Sequence, residues 1–505
     1  MDTTFVSGTT ITSPWLNDVN DAVYTTVPAQ GNASGIVYTP AGTSAVATNV
    51  QAKLRESVSV LDFGANTTPG TTDMSSAIQA AINYVGAAGG GTVYFPQGIY
   101  KIATALTVAY NGVELVGAGS LSTTTYLVGN TTTPAQLITL TGTNFTLRNI
   151  ALGGAPIAVT VPNAILTTEL LMSNVSFKDI TDKCFYHQDI TDGTGGLITG
   201  RFENILFDTC QNGFYFNDGC LVNDTDFNSL RFYNPVNGGY GLFIGNSSYT
   251  SNISIRDSLY NFIPNSTNIF ISLGTQSGPI TIDNCFTADL TWSTGVNDNV
   301  PIIEIRSTAS TLDNFAISSC TFSNPRGSVI AMSSTAVGAI QLSNNFFDNG
   351  SGSKLAAATI SNFDKFYSVN MVNNRFVSTV APALPLRLSG GGNVGTGLPL
   401  NASALIGSWP LAVSVDTVLT TGNNNAVVLV TTGASNKSIT LPVAAFNIGT
   451  TIKVNKQDSG GGSVVVNRSS SDTVGGTGVF SYTIATQFKT ATFVSDGVSN
   501  WYVQI

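Results

Sequence analysis

Histidine is almost absent from this chain, which has one, His187, among 505 residues. A metal site built from several histidines is therefore excluded. The five cysteines show no metal-ligand spacing, and their odd number makes a disulfide framework an unfavourable interpretation. They are Cys184, Cys210, Cys220, Cys285 and Cys320. We predict a protein without a metal or any other cofactor.

Charge is also scarce, because only 10% of the residues are charged. The 20 Lys and Arg are outnumbered by 29 Asp and Glu, which gives a formal net charge of −9. No basic stripe is present to neutralise phosphates, which excludes a nucleic-acid partner. No apolar run is long enough to span a bilayer, and no cleavable signal peptide opens the sequence. We therefore predict no membrane insertion and synthesis in a cytoplasm.

A short apolar pattern, by contrast, recurs nine times between residues 147 and 376. Column one of this pattern contains Leu147, Met172, Phe202, Phe227, Ile255, Ile282, Ile317, Leu342 and Met371. Column two, three residues later, contains Ile150, Val175, Ile205, Leu230, Ser258, Cys285, Cys320, Asn345 and Asn374. Column three, two residues further on, contains Leu152, Phe177, Phe207, Phe232, Tyr260, Thr287, Phe322, Phe347 and Phe376.

The spacing between repeats is 25, 30, 25, 28, 27, 35, 25 and 29 residues, which is typical of a solenoid. The offset of two between columns two and three is the period of a strand, and the offset of three before it indicates a bend. We predict an all-β fold built around a parallel β-helix, with successive coils about 4.8 Å apart. The extra residues of the longer repeats would leave the cylinder as loops.

The columns predict how the interior is stabilised. Each buried aromatic ring of column three would contribute roughly 1.5–3 kcal/mol by burial. Asn345 and Asn374 could form an interior hydrogen-bonded ladder, or they could lie in turns, where Asn is generally common. Cys285 and Cys320 fall in the same column and are interpreted as small buried apolar residues.

Residues 1–55 form a separate N-terminal segment. Trp15, Leu16, Val19 and Val23 have helical spacing after Ser13-Pro14, which indicates a short amphipathic docking helix. This opening resembles the virion-anchoring N-terminus of bacteriophage tailspike and tail-fibre proteins, and VQAKLRE followed by VSVLDFGA resembles their neck. The resemblance implies attachment to phage tail or adaptor proteins through residues 1–55, a homotrimer, and a location in the virion.

Residues 56–405 are predicted to be the solenoid. Its entrance, DFGANTTPGTTDMSSAIQAAINYVGAAGGGTVYFPQGIYKI, resembles the opening of the pectate-lyase-like superfamily, which implies a right-handed parallel β-helix. Asp73 is a candidate N-cap of a helix that carries Ile78, Ala81, Ile82 and Val85 and covers the open end. The superfamily contains lyases, hydrolases, epimerases and proteins without known activity, so the resemblance does not identify the chemistry.

Residues 406–505 contain short strand-like runs separated by Gly, Asn and Ser, a pattern that predicts an antiparallel β-sandwich or jelly roll. The order of these runs resembles C-terminal β-modules of phage tail proteins. That resemblance implies trimerisation or binding of surface glycans.

Glycoside hydrolysis needs two carboxyl groups roughly 5–9.5 Å apart, which neighbouring or alternate coils can provide. Arg201 and Asp226, Arg256 and Asp283, and Lys178 and Asp208 occupy equivalent positions on adjacent coils, and salt bridges along an exposed ladder explain them without a function. Glu203 and Asp257 follow column one without an aligned cation. The candidate catalytic residues are therefore Glu203, Asp226 and Asp257, and the candidate sugar ligands are Arg201, Arg256, Tyr233 and Trp292.

Three alternatives to this location stay open, and one of them is a site between the chains of a trimer. All of these residues could simply form a solvated face. A second site could instead surround Trp292, with Asp289, Asp298 and Glu304, in the insertion that causes the 35-residue spacing. Tyr215 and Phe243 are further candidates to stack on sugar rings.

Two functions from different classes agree with this organisation. One is a tailspike that recognises the host's surface polysaccharide and cleaves it, as a glycoside hydrolase in preference to a lyase. The other is a non-enzymatic trimeric adhesin or structural tail fibre. A free pectate-lyase-type enzyme is disfavoured by the phage-like N-terminus.

Overall fold

The computed structural model describes most of the chain as one long β-solenoid followed by a small β-module. The described residues are 12–20, 32–188, 195–246, 251–262, 267–274, 278–289, 300–306, 311–323, 329–332, 337–348, 356–361, 366–377, 384–389, 400–401, 411–419, 427–444, 450–476 and 478–504.

The N-terminal segment contains two short helices and a small hairpin. Its elements are α1 (Ser13–Asn20), β1 (Val37–Tyr38), β2 (Thr48–Asn49) and α2 (Val50–Leu54). The predicted amphipathic helix is present, and none of its residues is buried. Asn49 caps α2 by accepting a hydrogen bond from the backbone N–H of Ala52. Within the described chain, no helix is long and apolar enough to cross a membrane.

Helix α3 (Ser75–Ala87) closes the first coil, as predicted. The helix residues that pack into the solenoid core and are buried include Ile78, Ala81, Ile82 and Val85. A 3₁₀ turn at Val60–Asp62 precedes it. The N-cap position differs from the prediction, since α3 begins at Ser75 and its N-cap is Met74. Asp73 lies one residue earlier, yet its carboxylate still accepts hydrogen bonds from the Ser75 backbone N–H and hydroxyl. It therefore stabilises the helix start without being the N-cap.

Three parallel sheets form the flanks of the solenoid, which has about 11 coils. The first flank contains β3 (Val58–Ser59), β4 (Gly91–Phe95), β7 (Val113–Gly117), β16 (Ser251–Arg256), β19 (Ile280–Asp283), β22 (Thr311–Ser318), β25 (Val337–Ser343), β28 (Phe366–Val372) and β31 (Leu400–Asn401). The second contains β5 (Gly98–Lys101), β8 (Thr125–Val128), β17 (Leu259–Phe262), β20 (Phe286–Asp289), β23 (Thr321–Ser323), β26 (Phe346–Asp348) and β29 (Arg375–Val377).

The third flank contains β6 (Leu106–Val108), β9 (Gln136–Leu140), β13 (Asn212–Phe216), β15 (Tyr240–Ile244), β18 (Ile269–Leu273), β21 (Ile303–Ile305), β24 (Ile330–Met332), β27 (Ala356–Ser361) and β30 (Leu384–Ser389). Four long strands turn corners and contribute to more than one flank. They are β10 (Thr146–Val161), β11 (Leu166–His187), β12 (Gly196–Asp208) and β14 (Leu221–Tyr233).

The three predicted columns point inward in register. Phe177 pairs with Phe207 and Phe207 with Phe232 on successive coils, and the rings of Phe207 and Phe232 are stacked at 4.2 Å and 2°. Phe207, Phe232 and Phe347 are at most 3% exposed, which confirms the register. The side chain of Phe376 lies outside the described residues.

The bend after column one has the same backbone conformation in all nine repeats of the pattern. The residue two positions after column one has a positive φ of 49–58° throughout: Asn149, Asn174, Asn204, Ser229, Asp257, Asn284, Ser319, Asn344 and Asn373. Short polar side chains tolerate this left-handed region because they bond locally to the backbone. Asn204 donates to Asn174, which donates to Asn149, so part of this corner is an exterior amide ladder.

A second asparagine ladder lies inside the solenoid, in column two. Asn345 is 1% exposed and donates to the side-chain oxygen of Asn374 at 3.0 Å. Its own oxygen accepts from the backbone N–H of Cys320. The interior interpretation is therefore correct and the turn interpretation is not. All five cysteines are buried and free.

The C-terminal module consists of two mixed sheets around one core. One sheet contains β32 (Leu411–Val413), β34 (Val427–Val430), β36 (Thr451–Lys456), β38 (Thr473–Val474), β40 (Thr490–Ser495) and β41 (Asn500–Gln504). The other contains β33 (Thr417–Val418), β35 (Lys437–Thr440), β37 (Val464–Asn467) and β39 (Ser481–Ile484). Antiparallel pairs are present as predicted, between β36 and β40, β40 and β41, and β37 and β39. The first three strands of each sheet are parallel.

Candidate functional site

An open cleft of about 460 Å³ lies on the first flank of the solenoid. It extends over three neighbouring coils, formed by β12, β14 and β16. Its lining residues are Thr199, Gly200, Arg201, Glu203, Asp224, Thr225, Asp226, Asn252, Ser254 and Arg256. Four of the predicted site residues, Arg201, Glu203, Asp226 and Arg256, are thus brought together.

Strand alternation explains why these side chains face solvent. Phe202, Phe227 and Ile255 of column one point into the core, so the residues directly before and after them point outward. The row before column one places Arg201 beside Asp226 and Asp226 beside Ser254. The row after it contains Glu203, Asn228 and Arg256 in the same order.

The ion pairs of the cleft differ from those predicted. Arg256 is aligned with Asp283, but it binds Asp226 instead, with Nε to Oδ1 at 3.0 Å and Nη2 to Oδ2 at 2.5 Å. The hydrogen bond and the charge of Asp226 raise the pKa of the Arg256 guanidinium. Asp283 accepts a hydrogen bond from the Ser318 hydroxyl. A long arginine side chain reaches the diagonal neighbour, which strand alignment alone does not reveal.

Two other predicted pairs are aligned without an ion pair. Arg201 is beside Asp226 in register, but both carboxylate oxygens of Asp226 are engaged by Arg256. Within the described part of the chain, Arg201 forms no salt bridge and is exposed. Lys178 and Asp208 are also aligned, yet Asp208 accepts from Thr209 and Asn234 instead. The cleft therefore presents an exposed guanidinium, that of Arg201.

Glu203 is half-buried in the cleft, and its register neighbours are Ser173 and Asn228. This agrees with the expectation that no cation lies directly above or below it. Its diagonal neighbour is Asp226, and such diagonal positions are about 7–8 Å apart. The cleft thus contains a carboxyl group between polar neutral side chains and close to the Asp226–Arg256 pair.

A corner row that the sequence interpretation missed forms one wall of the cleft. Thr199, Asp224 and Asn252 lie three residues before column one, and all have a positive φ, of 62°, 47° and 56° respectively. Asp224 is exposed, and its Oδ1 accepts from Asn252 Nδ2 at 2.5 Å. The recurrence of Asn, Asp and Thr at this position was the available signal, because such residues favour left-handed corners.

The other predicted site residues lie elsewhere. Asp257 is the corner residue that directly follows β16, where its Oδ1 accepts from Asn284, and it does not line the cleft. Tyr233 lies at the end of the second flank, aligned with Asp208. Trp292 and Asp298 lie outside the described residues, as does the side chain of Asp289. Glu304, the fourth member of that group, accepts a hydrogen bond from Ser272 on the third flank.

Tyr215 and Phe243 also lie on the third flank, away from the cleft. Their rings stack on each other at 4.1 Å and 6°. Lys183 Nζ lies 5.0 Å from the Tyr215 ring centre, and the Arg306 guanidinium lies 4.0 Å from that of Phe243. Burial, followed by the neighbouring Tyr240, raises the pKa of the Tyr215 hydroxyl. Because neighbouring side chains cover these ring faces, the pair stabilises the coil stack and leaves little face for a sugar.

No group of three or more His, Cys, Asp or Glu side chains within the described ranges could hold a metal ion. His187 is fully buried, and burial lowers the pKa of its imidazole. Its Nδ1 lies 3.3 Å from the Cys220 sulfur. The residues that line the cleft offer carboxyl, guanidinium, hydroxyl and amide groups.

Comparison with known proteins finds a family model that matches part of the chain. Residues 57–297 match the family described as rhamnogalacturonase A/epimerase, pectate lyase-like. Two Azotobacter vinelandii proteins, mannuronan C5-epimerases AlgE3 and AlgE2, are 49% and 46% identical over 67 and 76 residues. These segments are 12% and 14% of this chain and only 4% and 7% of the relatives' own length.

Solved structures with a similar fold include enzymes and viral proteins. The AlgE4 A-module of Azotobacter vinelandii is 17% identical, with a TM-score of 0.40 and coverage of 68% of this chain and 99% of its own. The tailspike of E. coli bacteriophage HK620, solved with a pentasaccharide, is 13% identical, with a TM-score of 0.40. The match covers 86% of this chain and 82% of the tailspike chain. An alginate lyase from Paenibacillus is 13% identical, with a TM-score of 0.41 and coverage of 66% and 98%.

The family match agrees with the resemblance stated from the entrance sequence. Phage tailspikes are among the similar structures, as are polysaccharide-modifying enzymes. The chain contains a pectate-lyase-like, right-handed parallel β-helix, and residues 57–297 are the part that matches the family.

Proposed function

We propose that this protein is a phage tailspike that binds a bacterial surface polysaccharide in the first-flank cleft and hydrolyses it. The observation that carries the proposal is the convergence of Arg201, Glu203, Asp226 and Arg256 in one open cleft of about 460 Å³. Such a volume accommodates a few sugar units, and its polar lining is suited to hydroxyl-rich ligands. The family match to rhamnogalacturonase A and epimerases also supports a carbohydrate ligand.

In this proposal Glu203 is the general acid–base residue. It is half-buried, and its aligned neighbours are the uncharged Ser173 and Asn228. Glu203 lines the cleft and forms no salt bridge among the described residues, so its carboxyl group can contact a bound sugar. Arg201, which makes no salt bridge among the described residues, donates charge-assisted hydrogen bonds to sugar oxygens.

Asp226 and Arg256 have a different role from Glu203. Because both oxygens of Asp226 accept from Arg256, this aspartate fixes the position of the guanidinium in the cleft. The pair then orients the sugar through the remaining guanidinium N–H groups. Asp257 lies at a corner outside the cleft lining, so its predicted acid–base role stays a prediction. The turnover of the Asp257→Asn variant tests that role.

Attachment to the virion is proposed for residues 1–55. Helix α1 exposes Leu16, and no residue of the helix is buried within the chain. The stretch between α1 and the solenoid also exposes Val37, Val46 and Leu54, at 71%, 81% and 68%. Exposed apolar residues on short elements favour packing against another protein. We propose phage tail or adaptor proteins as partners of α1 and a homotrimer as the assembled form.

Light scattering of the purified protein tests the assembly, and the expected mass is three times 52.5 kDa. Deletion of residues 1–55 should leave the trimer intact and abolish attachment to the particle. A stable monomer would contradict the proposed assembly.

Hydrolysis is tested by incubating the protein with a panel of purified capsular and lipopolysaccharide glycans, followed by a reducing-end assay. Glu203→Gln should lower turnover by roughly two to four orders of magnitude and leave glycan affinity mostly unchanged. Asp179→Asn is the matched control, because Asp179 is exposed at another corner, with φ 54°, outside the cleft. Products that absorb as unsaturated uronates would indicate a lyase and contradict hydrolysis.

An adhesin without enzymatic activity is the second candidate. The observation in its favour is that both oxygens of Asp226 bind Arg256. Of the three predicted catalytic acids, only Glu203 then lies in the cleft without a bound cation. Binding alone needs no pair of carboxyl groups. Saturable binding of a glycan that is never shortened, lost in Arg201→Ala, would favour the adhesin.

A further inference from the structure

We infer that Asp224 is the second catalytic carboxylate of the cleft, acting as the base that activates water opposite Glu203. This inference rests on the proposed hydrolysis. The sequence pattern did not select Asp224, because it lies three residues before column one, outside the repeated motif. The structure places it in the cleft lining with Glu203.

The hydrogen bonds distinguish Asp224 from Asp226. Both oxygens of Asp226 accept from Arg256, so that carboxylate has its strongest acceptor sites occupied by a cation. Asp224 uses only Oδ1, which accepts from the neutral Asn252 amide at 2.5 Å. Among the described residues no donor contacts its Oδ2. An exposed carboxylate oxygen without a bound cation is the better acceptor for a proton from water.

The positions of Asp224 and Glu203 fit an inverting reaction better than a retaining one. They lie four strand positions and one coil apart, which separates their α-carbons by roughly 13 Å along the strand. A retaining pair needs carboxyl groups only about 5–5.5 Å apart. Inverting enzymes hold their two carboxyl groups roughly 6.5–9.5 Å apart, which leaves room for a water molecule between them.

The step balances as a hydrolysis. The protonated Glu203 carboxyl donates its proton to the glycosidic oxygen while the bond from that oxygen to the anomeric carbon breaks. The Asp224 carboxylate accepts a proton from the water whose oxygen forms the new bond to the anomeric carbon. Glu203 ends as a carboxylate and Asp224 as an acid, and exchange with solvent restores both. The sum is addition of one water molecule with inversion at the anomeric carbon.

The backbone at this corner makes a clean substitution available. Asp224 has a φ of 47°, and Asn occupies the equivalent corner at residues 144 and 252 with φ 52° and 56°. Asp224→Asn therefore keeps the conformation, because Asn is among the residues that best tolerate this region. Asp179→Asn is the matched control, with the same chemical change at a corner of φ 54° outside the cleft.

The experiment measures turnover, glycan affinity and pH profile for the full-length protein on a glycan that it cleaves. Asp224→Asn should lower turnover by roughly two to four orders of magnitude, keep the affinity, and remove the acidic limb of the pH profile. Asp226→Asn should weaken affinity more than turnover. NMR of the fresh product should show the inverted anomer.

Two outcomes would overturn the assignment in different ways. If the wild type is active, either a fully active Asp224→Asn variant or a product with the retained anomer rejects the role of Asp224. Both results leave the proposed function intact. A wild type that binds glycans and cleaves none of them rejects the hydrolysis and the assignment together. Circular dichroism and thermal unfolding of each variant exclude loss of folding as the cause.

Discussion

Arg256 binds Asp226 on the preceding coil rather than Asp283, with which it is aligned, through contacts of 3.0 and 2.5 Å. Both side chains are partly exposed, at 45% and 26%. The pair crosses the ladder diagonally and occupies the middle of the cleft. It therefore reduces the number of free carboxylates available for catalysis. Because the pair is partly exposed, it contributes little to the stability of the fold.

A double-mutant cycle of Arg256→Ala and Asp226→Asn should give a coupling free energy of about 0.2–1 kcal/mol in chemical unfolding. The coupling should decrease at high salt, because exposed charges are screened. The control cycle pairs Arg256→Ala with Asp283→Asn, whose residues are aligned but not bonded. Equal coupling in the two cycles would contradict the diagonal pair.

Phe232→Ala should lower the free energy of unfolding by about 3–5 kcal/mol, because it leaves a cavity in column three. Phe232 is 3% exposed, its ring stacks on that of Phe207, and it lies 4.9 Å from the Tyr260 ring at a tilt of 39°. Phe286→Ala is the control, since Phe286 is 41% exposed on the outer face of the same flank. Similar losses in the two variants would show that the inward register is wrong.

Asn345→Ala should destabilise the solenoid through lost hydrogen bonds, with little change in apolar burial. It removes the acceptor of the Cys320 N–H and the donor to the Ile317 carbonyl and Asn374. Each buried group left without a partner costs about 1–3 kcal/mol. Gln341→Ala, at an exposed position on β25 of the same coil, should have almost no effect in the same denaturant titration.

The C-terminal module should lose stability in acid partly through Asp458. Backbone N–H groups of Gly433 and Thr432 hold the pKa of its carboxyl well below the ordinary value, and Lys456 adds to this. A depressed folded-state pKa means that the contribution is complete above the unfolded value near 3.9, roughly, and is lost as the pH falls from there toward the folded value.

Asp458→Asn should therefore flatten the decline of melting temperature below about pH 4, because the variant has no carboxyl to protonate. Asp416→Asn is the control in the same module, where the carboxylate accepts from one backbone N–H, that of Ser438. An unchanged acid limb in Asp458→Asn would refute this account.

The sequence predicted the solenoid because its columns record two strong physical requirements. Most inward positions must be apolar on successive coils, and the chain must bend between two short strands, so both leave a periodic trace. The helix over the first coil was also predictable, since an open coil end must be covered. The exact cap residue was not, because Asp73 accepts from the Ser75 N–H from one residue before the N-cap, Met74, whose own side chain makes no capping hydrogen bond.

The site was predicted only in part, since strand register aligns α-carbons but does not determine where a long side chain reaches. Alignment suggested that Arg256 pairs with Asp283, whereas the guanidinium reaches Asp226. Tyr215 and Phe243 were near the cleft in sequence order but lie on the third flank, around a corner.

By itself the sequence determined the coil repeat, the inward columns and the group of outward charges on one flank, because each depends on local periodicity. Only the tertiary structure decided which charges pair and which face the cleft. That choice depends on side-chain reach across coils and on the left-handed corner that turns Asp224 into the same cleft as Glu203.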